Sequence, residues 1–70
     1  MPSDVRFADI RKQLEQHGWQ LVRIAGSHHI FKGEGRPIFS IPVHKGRVKA
    51  FYAREVERAI EALRSHGAED

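Results

Sequence analysis

Apolar residues fall at helical spacing near the start of the chain. Phe7, Ile10 and Leu14 recur every three to four positions, with Arg11, Lys12, Glu15 and Gln16 between them. The spacing predicts a first helix over about 6–17. Gly18 suits the turn that ends it, and His17 sits near the negative end of the helix dipole. Ser3 or Asp4 is a candidate N-cap, but neither has Glu or Gln three residues on, so no capping box forms. Residues 1–5 are expected to be a loose start.

The pattern then changes period. Trp19–Ile24 (WQLVRI) is rich in β-forming residues and alternates in part, which predicts a first strand. Ala25-Gly26-Ser27 is a small-residue turn, and His28–Lys32 a second strand. Gly33-Glu34-Gly35-Arg36 reads as a hairpin loop. Pro37–Ile41 is expected as the third strand, with proline at the tolerated first position. Residues 42–51 read as a basic loop. Val56, Ala59, Ile60 and Leu63 form the stripe of a last helix over about 52–65, which Gly67 is expected to stop. Glu55–Arg58 and Glu61–Arg64 are supporting i,i+3 pairs along it.

The order is α-β-β-β-α, an α+β arrangement. Its simplest packing is a three-stranded antiparallel sheet with both helices on one face. That layout is similar to the double-stranded-RNA-binding-domain type, a likeness of fold that carries no function by itself.

Composition narrows the picture. Seventy residues make one small domain, 1–70, with a thin core. There is no cysteine, hence no disulfide and no thiolate-bound metal. No apolar run approaches the roughly 20 residues of a membrane span, and no basic-then-apolar signal segment opens the sequence. A cytoplasmic protein is expected. The net charge of +3, with a pI near 9.8, is modest. Its distribution is more telling: Arg23, Lys32, Arg36, Lys45, Arg47 and Lys49 face a lone Glu34 across the middle of the chain. A basic middle between mixed-charge helices suggests a polyanion surface.

The stretch GSHHIF, residues 26–31, places two histidines side by side in a strand. Strand alternation points them to opposite faces, so they are not a chelating pair. With no thiolate and no clustered carboxylate, neither a metal nor a cofactor is expected. Pairing Lys32 with Pro37 would set Ile30 against Phe39 and His28 against Ile41. That register brings His28 or His29 near His44 at one end of the sheet, where the basic loop begins. A histidine with an ordinary pKa of about 6.5 can give and take protons at neutral pH. RNA carries its own nucleophile, the 2′-hydroxyl. One imidazole beside cations is therefore sufficient equipment for cleaving it. A strand histidine making one surface hydrogen bond is the plainer reading of the same residues.

Taken together, Leu14…His17-Gly18-Trp19, Gly26-Ser27-His28-His29-Ile30-Phe31 and Ile41-Pro42-Val43-His44 resemble the HicA toxin family, also called YcfA-like, over about residues 6–60. The resemblance implies a small messenger-RNA interferase of the HicA/HicB toxin–antitoxin type, with a double-stranded-RNA-binding-like fold and metal-independent chemistry. Its catalytic histidine matches His28, with His29 the alternative, since some members carry it one place later. His44 would support it. A HicB-like antitoxin would bind the toxin as a hetero-oligomer and cover the site. After His44 the sequence departs from the family: Ala50-Phe51-Tyr52 stands where a Pro-Gly-Thr turn is common.

The residues themselves supply the expected RNA contacts. Lys45, Arg47 and Lys49 are candidate phosphate contacts, and Lys32 and Arg36 would extend the same surface from the hairpin tip. Ser27 either caps the turn or bonds the catalytic imidazole. Phe51 and Tyr52 could stack on bases, with core packing the plainer role. Trp19 is assigned to the core. His17 and His66, near helix ends, are given no catalytic part. The competing function is an RNA-binding module of the same fold without catalysis.

Overall fold

A computed structural model describes the backbone of residues 4–69 and the side chains of residues 4–65. The expected candidate cap Ser3 and the side chain of His66 lie outside the described residues.

Helix α1 spans Phe7–Gln16 and ends as its sequence directs. The Trp19 N–H reaches back to the Leu14 carbonyl at 2.9 Å and the Gly18 N–H to that of Glu15 at 3.4 Å. Gly18 adopts φ +96°. This is the two-bond Schellman ending that a left-handed glycine permits. Leu14 and Trp19, its hydrophobic partners, are both fully buried. At the other end Arg6 occupies the cap position with no side-chain cap bond, so the expected Asp4 cap is corrected.

A three-stranded antiparallel sheet follows, built from Gln20–Ala25, His28–Lys32 and Phe39–Pro42 in that spatial order. The first two strands are closed by a two-residue turn, Gly26-Ser27, with Gly26 at φ +61°. A glycine with positive φ in the first central position is what a tight type II′ hairpin requires. The partial alternation in the first strand has a cause: the register shifts between Leu21 and Arg23, a bulge that leaves Val22 exposed.

The third strand starts two residues later than expected, and its register differs by one. Phe31 pairs with Phe39, Ile30 with Ser40, His29 with Ile41 and His28 with Pro42. The physical reason lies in the loop. Pro37 gives its carbonyl to the Trp19 indole N–H at 2.8 Å, and so it is not part of a ladder. The observed register also puts Phe31 and Phe39 on the same, core-facing side, whereas the expected one turns Phe39 outward.

Two further strands correct the expected termini and loop. Asp4–Arg6 and Arg47–Lys49 form a small antiparallel ribbon with Asp4 opposite Lys49, Val5 opposite Val48 and Arg6 opposite Arg47. In chain order the strands are therefore β1 (Asp4–Arg6), β2 (Gln20–Ala25), β3 (His28–Lys32), β4 (Phe39–Pro42) and β5 (Arg47–Lys49). Helix α2 begins at Ala50, directly after β5, and runs through Gly67 to Glu69. A glycine weakens a helix by only about 1 kcal/mol, and here it does not end one. The Glu55–Arg58 pair forms at 2.9 Å.

Ile10 and Leu14 of α1, Val56 and Ile60 of α2, Phe31 and Ile41 of the sheet, and Trp19 and Val48 form one buried cluster. Both helices thus cover the same sheet face, as the α-β-β-β-α order predicts. At the far end of that cluster, Arg36 holds the chain together. Its guanidinium donates to the His17 carbonyl at 2.6 Å and the Glu34 carbonyl at 2.7 Å, and lies 5.5 Å from the Trp19 ring centre. The approach is tight enough that a Cβ on Gly33 would meet the Gly18 oxygen at 2.5 Å.

Candidate active site

The Gly26-Ser27 turn places the histidine doublet at one end of β3. Alternation then separates the pair as expected. His28 is exposed, on the sheet face away from the helices, and its Nδ1 lies 3.2 Å from the Ser40 hydroxyl. His29 is half-buried on the helix side. Its ring packs 4.6 Å from that of Phe7, and its Nδ1 lies 3.3 Å from the Ser27 carbonyl. As the donor to that carbonyl, Nδ1 leaves Nε2 as the lone-pair nitrogen.

Backbone hydrogen bonds draw the later segment to this end. The Val43 N–H donates to the Ser27 carbonyl at 2.8 Å. His44 and Arg47 then exchange two backbone bonds, at 3.0 and 2.8 Å, around a turn of Lys45 and Gly46. Both turn residues have positive φ, +53° and +75°. This is the type I′ hairpin geometry, in which a lysine at the first position is unusual. The Phe7 N–H closes the arrangement by donating to the Gly46 carbonyl at 2.8 Å.

The ribbon imposes a charge pattern. Residues directly opposite each other in an antiparallel pair share a face. Arg47 is opposite His44 on one side and Arg6 on the other, so His44, Arg47 and Arg6 form a row across three segments. All three are exposed. Lys49 shares their side of β5, because the intervening Val48 is fully buried. Next to the row lies a hollow of about 200 Å³ lined by Asp4, Pro42, His44, Arg47, Lys49 and Tyr52.

The expected site residues therefore divide. Ser27, His28, His29, His44, Lys45, Arg47 and Lys49 gather at the turn end, though among the described residues no hydrogen bond or ring contact joins either doublet histidine to His44. Lys32 is on the face of His28 but four strand steps away, about 13 Å at some 3.3 Å each. Arg36 is further off, and its guanidinium is occupied by the two carbonyls and the Trp19 ring. Sequence reasoning missed Arg6 and Ser40. Ser40 was hidden by the register slip. The available signal for Arg6 was that Asp4-Val5-Arg6 and Arg47-Val48-Lys49 share a polar–apolar–polar pattern. Three residues are too few for alternation alone to be read as a strand.

Among the described residues, no three His, Asp or Glu side chains group as a metal site would need. No helix is long and apolar enough to cross a membrane. Neither a comparison with curated proteins nor one with solved structures gives a match. A family model described as the HicA toxin of bacterial toxin–antitoxin systems matches residues 7–62, from the first residue of α1 into the last helix. By that match over most of its length, the chain belongs to the HicA toxin family.

Proposed function

We infer that this toxin is an endoribonuclease, an mRNA interferase that cleaves single-stranded RNA with its own side chains in the cytoplasm. The observation that carries the reading is the exposed imidazole of His28, held at a sheet end onto which a cationic hairpin is bonded. His28 takes the proton from a 2′-hydroxyl, and the 2′-oxygen attacks the adjoining phosphorus. The bond from phosphorus to the 5′-oxygen breaks, and the imidazolium returns its proton to that oxygen through solvent. The products are a 2′,3′-cyclic phosphate and a 5′-hydroxyl. His44, Lys45 and Arg47 hold the phosphate and offset the charge that builds on it. Ser40 orients the imidazole through its Nδ1 contact. The proton transfer uses no metal ion.

A second reading has its own observation. The Nδ1 contact of His29 with a backbone carbonyl fixes its tautomer and leaves Nε2 as a ready base. In that version His29 is the catalytic residue and His28 a substrate contact. A HicB-like antitoxin is proposed as the partner, bound over this end of the sheet as a hetero-oligomer.

Expression in a bacterial host tests the reading. Wild-type protein is expected to arrest growth and deplete messenger RNA, with co-expressed antitoxin restoring growth. His28→Ala, made to the same level, is expected to do neither. Growth arrest by His28→Ala equal to wild type, together with its loss in His29→Ala, would transfer the role to His29. Arrest by both variants would favour the non-catalytic binding module.

A further inference from the structure

The hollow between the β1–β5 ribbon and the start of α2 shares His44 and Arg47 with the phosphate contacts argued above, while its aromatic wall has no part in the proton transfer. Arg47, Lys49 and His44 line the hollow with one acid, Asp4, which lies opposite Lys49, and Arg6 stands beside it, opposite Arg47. Like charges directly opposite across a strand pair repel, yet Arg6 and Arg47 face each other, with His44 on the far side of Arg47. Arg6 has an ion pair with Asp9 at 3.6 Å, but both side chains are exposed, and such pairs are weak and readily exchanged. An anion laid along the row converts repulsion into attraction, and the planar guanidinium fork fits two oxygens of a phosphate.

The wall of the hollow is aromatic. Tyr52 is half-buried, with one side packed against the core and another lining the hollow. Phe51 braces it edge-on, ring centres 5.2 Å apart at 86°. Core packing and a wet face thus coexist in one ring, so the two roles weighed for Tyr52 are not exclusive. The hollow is open to solvent on one side, so the Tyr52 ring is reachable by a planar ligand.

We propose that this hollow is a nucleotide subsite, in which the base on the 3′ side of the cleaved bond stacks on Tyr52 and its 5′-phosphate, the scissile one, lies along Arg47 and Arg6. The proposal rests on the ribonuclease reading and names the subsite beside the scissile bond. Pro42 lines the hollow and is the cross-strand partner of His28. The subsite accordingly belongs, in this proposal, to the nucleotide next to the one whose 2′-hydroxyl meets the histidine. Because the base must be unstacked to enter, duplex RNA is a poor substrate.

The test uses a 2′-O-methyl tetranucleotide, which lacks the nucleophile and cannot be cleaved. Titrated into the full chain and followed by NMR, it is expected to shift the Tyr52 ring and Arg47 signals first. Tyr52→Leu is expected to weaken binding roughly tenfold, the loss of one base stack, and Tyr52→Phe to restore it. Arg47→Ala is fully surface-directed and keeps the test open should Tyr52→Leu fold poorly; it should lower the salt slope of binding by about one. Shifts confined to His28, Ile30 and Lys32, or wild-type affinity in both Tyr52→Leu and Arg47→Ala, would overturn the subsite. Cleavage of ordinary RNA, assayed in parallel, separates the two claims. Cleavage by the wild-type protein that is lost in His28→Ala leaves the ribonuclease reading intact in that outcome, whereas a wild-type protein that neither binds the tetranucleotide nor cleaves RNA overturns both.

Discussion

Adjacent identical residues have different neighbours here, and that difference is measurable. His29 fills space against Phe7 and bonds a backbone carbonyl, whereas His28 is exposed beside Ser40. His29→Ala is therefore expected to lower stability by about 1–2 kcal/mol, and His28→Ala to change it by less than about 0.5 kcal/mol, in urea unfolding. Equal losses would contradict the placement. Lys45 offers a second separation. A non-glycine residue in the left-handed region costs about 1–2 kcal/mol, part of which glycine gives back through its freer unfolded chain. Lys45→Gly is expected to be neutral to about 1 kcal/mol more stable while cleaving RNA more slowly. A variant that gained stability with undiminished cleavage would remove Lys45 from the phosphate contacts. The cations are likewise unequal. Arg36 is committed to the His17 and Glu34 carbonyls, so Arg36→Ala should cost about 1–2 kcal/mol of stability and leave the salt dependence of RNA binding unchanged.

At the level of elements, what was legible in the sequence depended on how many residues carried each pattern. The first helix, with three apolar repeats and a Gly-Trp ending, and the second strand, bounded by two glycine turns, were both readable within a residue. Helix α2 was readable by its stripe but not by its ends, since its start is set by β5 and a single glycine does not stop it. The β1–β5 ribbon was not readable, because each strand has one apolar residue and gains its stability from burying Val48 under the helices. The strand register failed for a related reason. Long-range contacts fix where β4 begins: the Trp19 indole bonds the Pro37 carbonyl, and Phe39 packs against the Trp19 ring. The same feature makes a prediction. Gly33→Ala would press a methyl group against the Gly18 carbonyl and should cost about 2 kcal/mol, seen as a lower thermal midpoint. A midpoint equal to wild type would mean that the two glycine turns do not pack as closely as described.

Across the whole molecule, the two helices occupy one side of the sheet and the candidate chemistry gathers at one end. The basic row and the exposed imidazole both belong to that end. Lys32 and Arg36, which the sequence suggested as part of a continuous basic surface, stand at the opposite end of the sheet, a separation that only the folded register reveals. The central claim is that a histidine of the doublet cleaves RNA without a metal. Its most direct test is incubation of purified protein, free of antitoxin, with end-labelled single-stranded RNA in excess EDTA, beside His28→Ala and His29→Ala. The account predicts cleavage by wild type leaving a 2′,3′-cyclic phosphate, abolished by His28→Ala and retained in part by a folded His29→Ala. Intact RNA with folded wild-type protein, or cleavage that survives both substitutions, would contradict it.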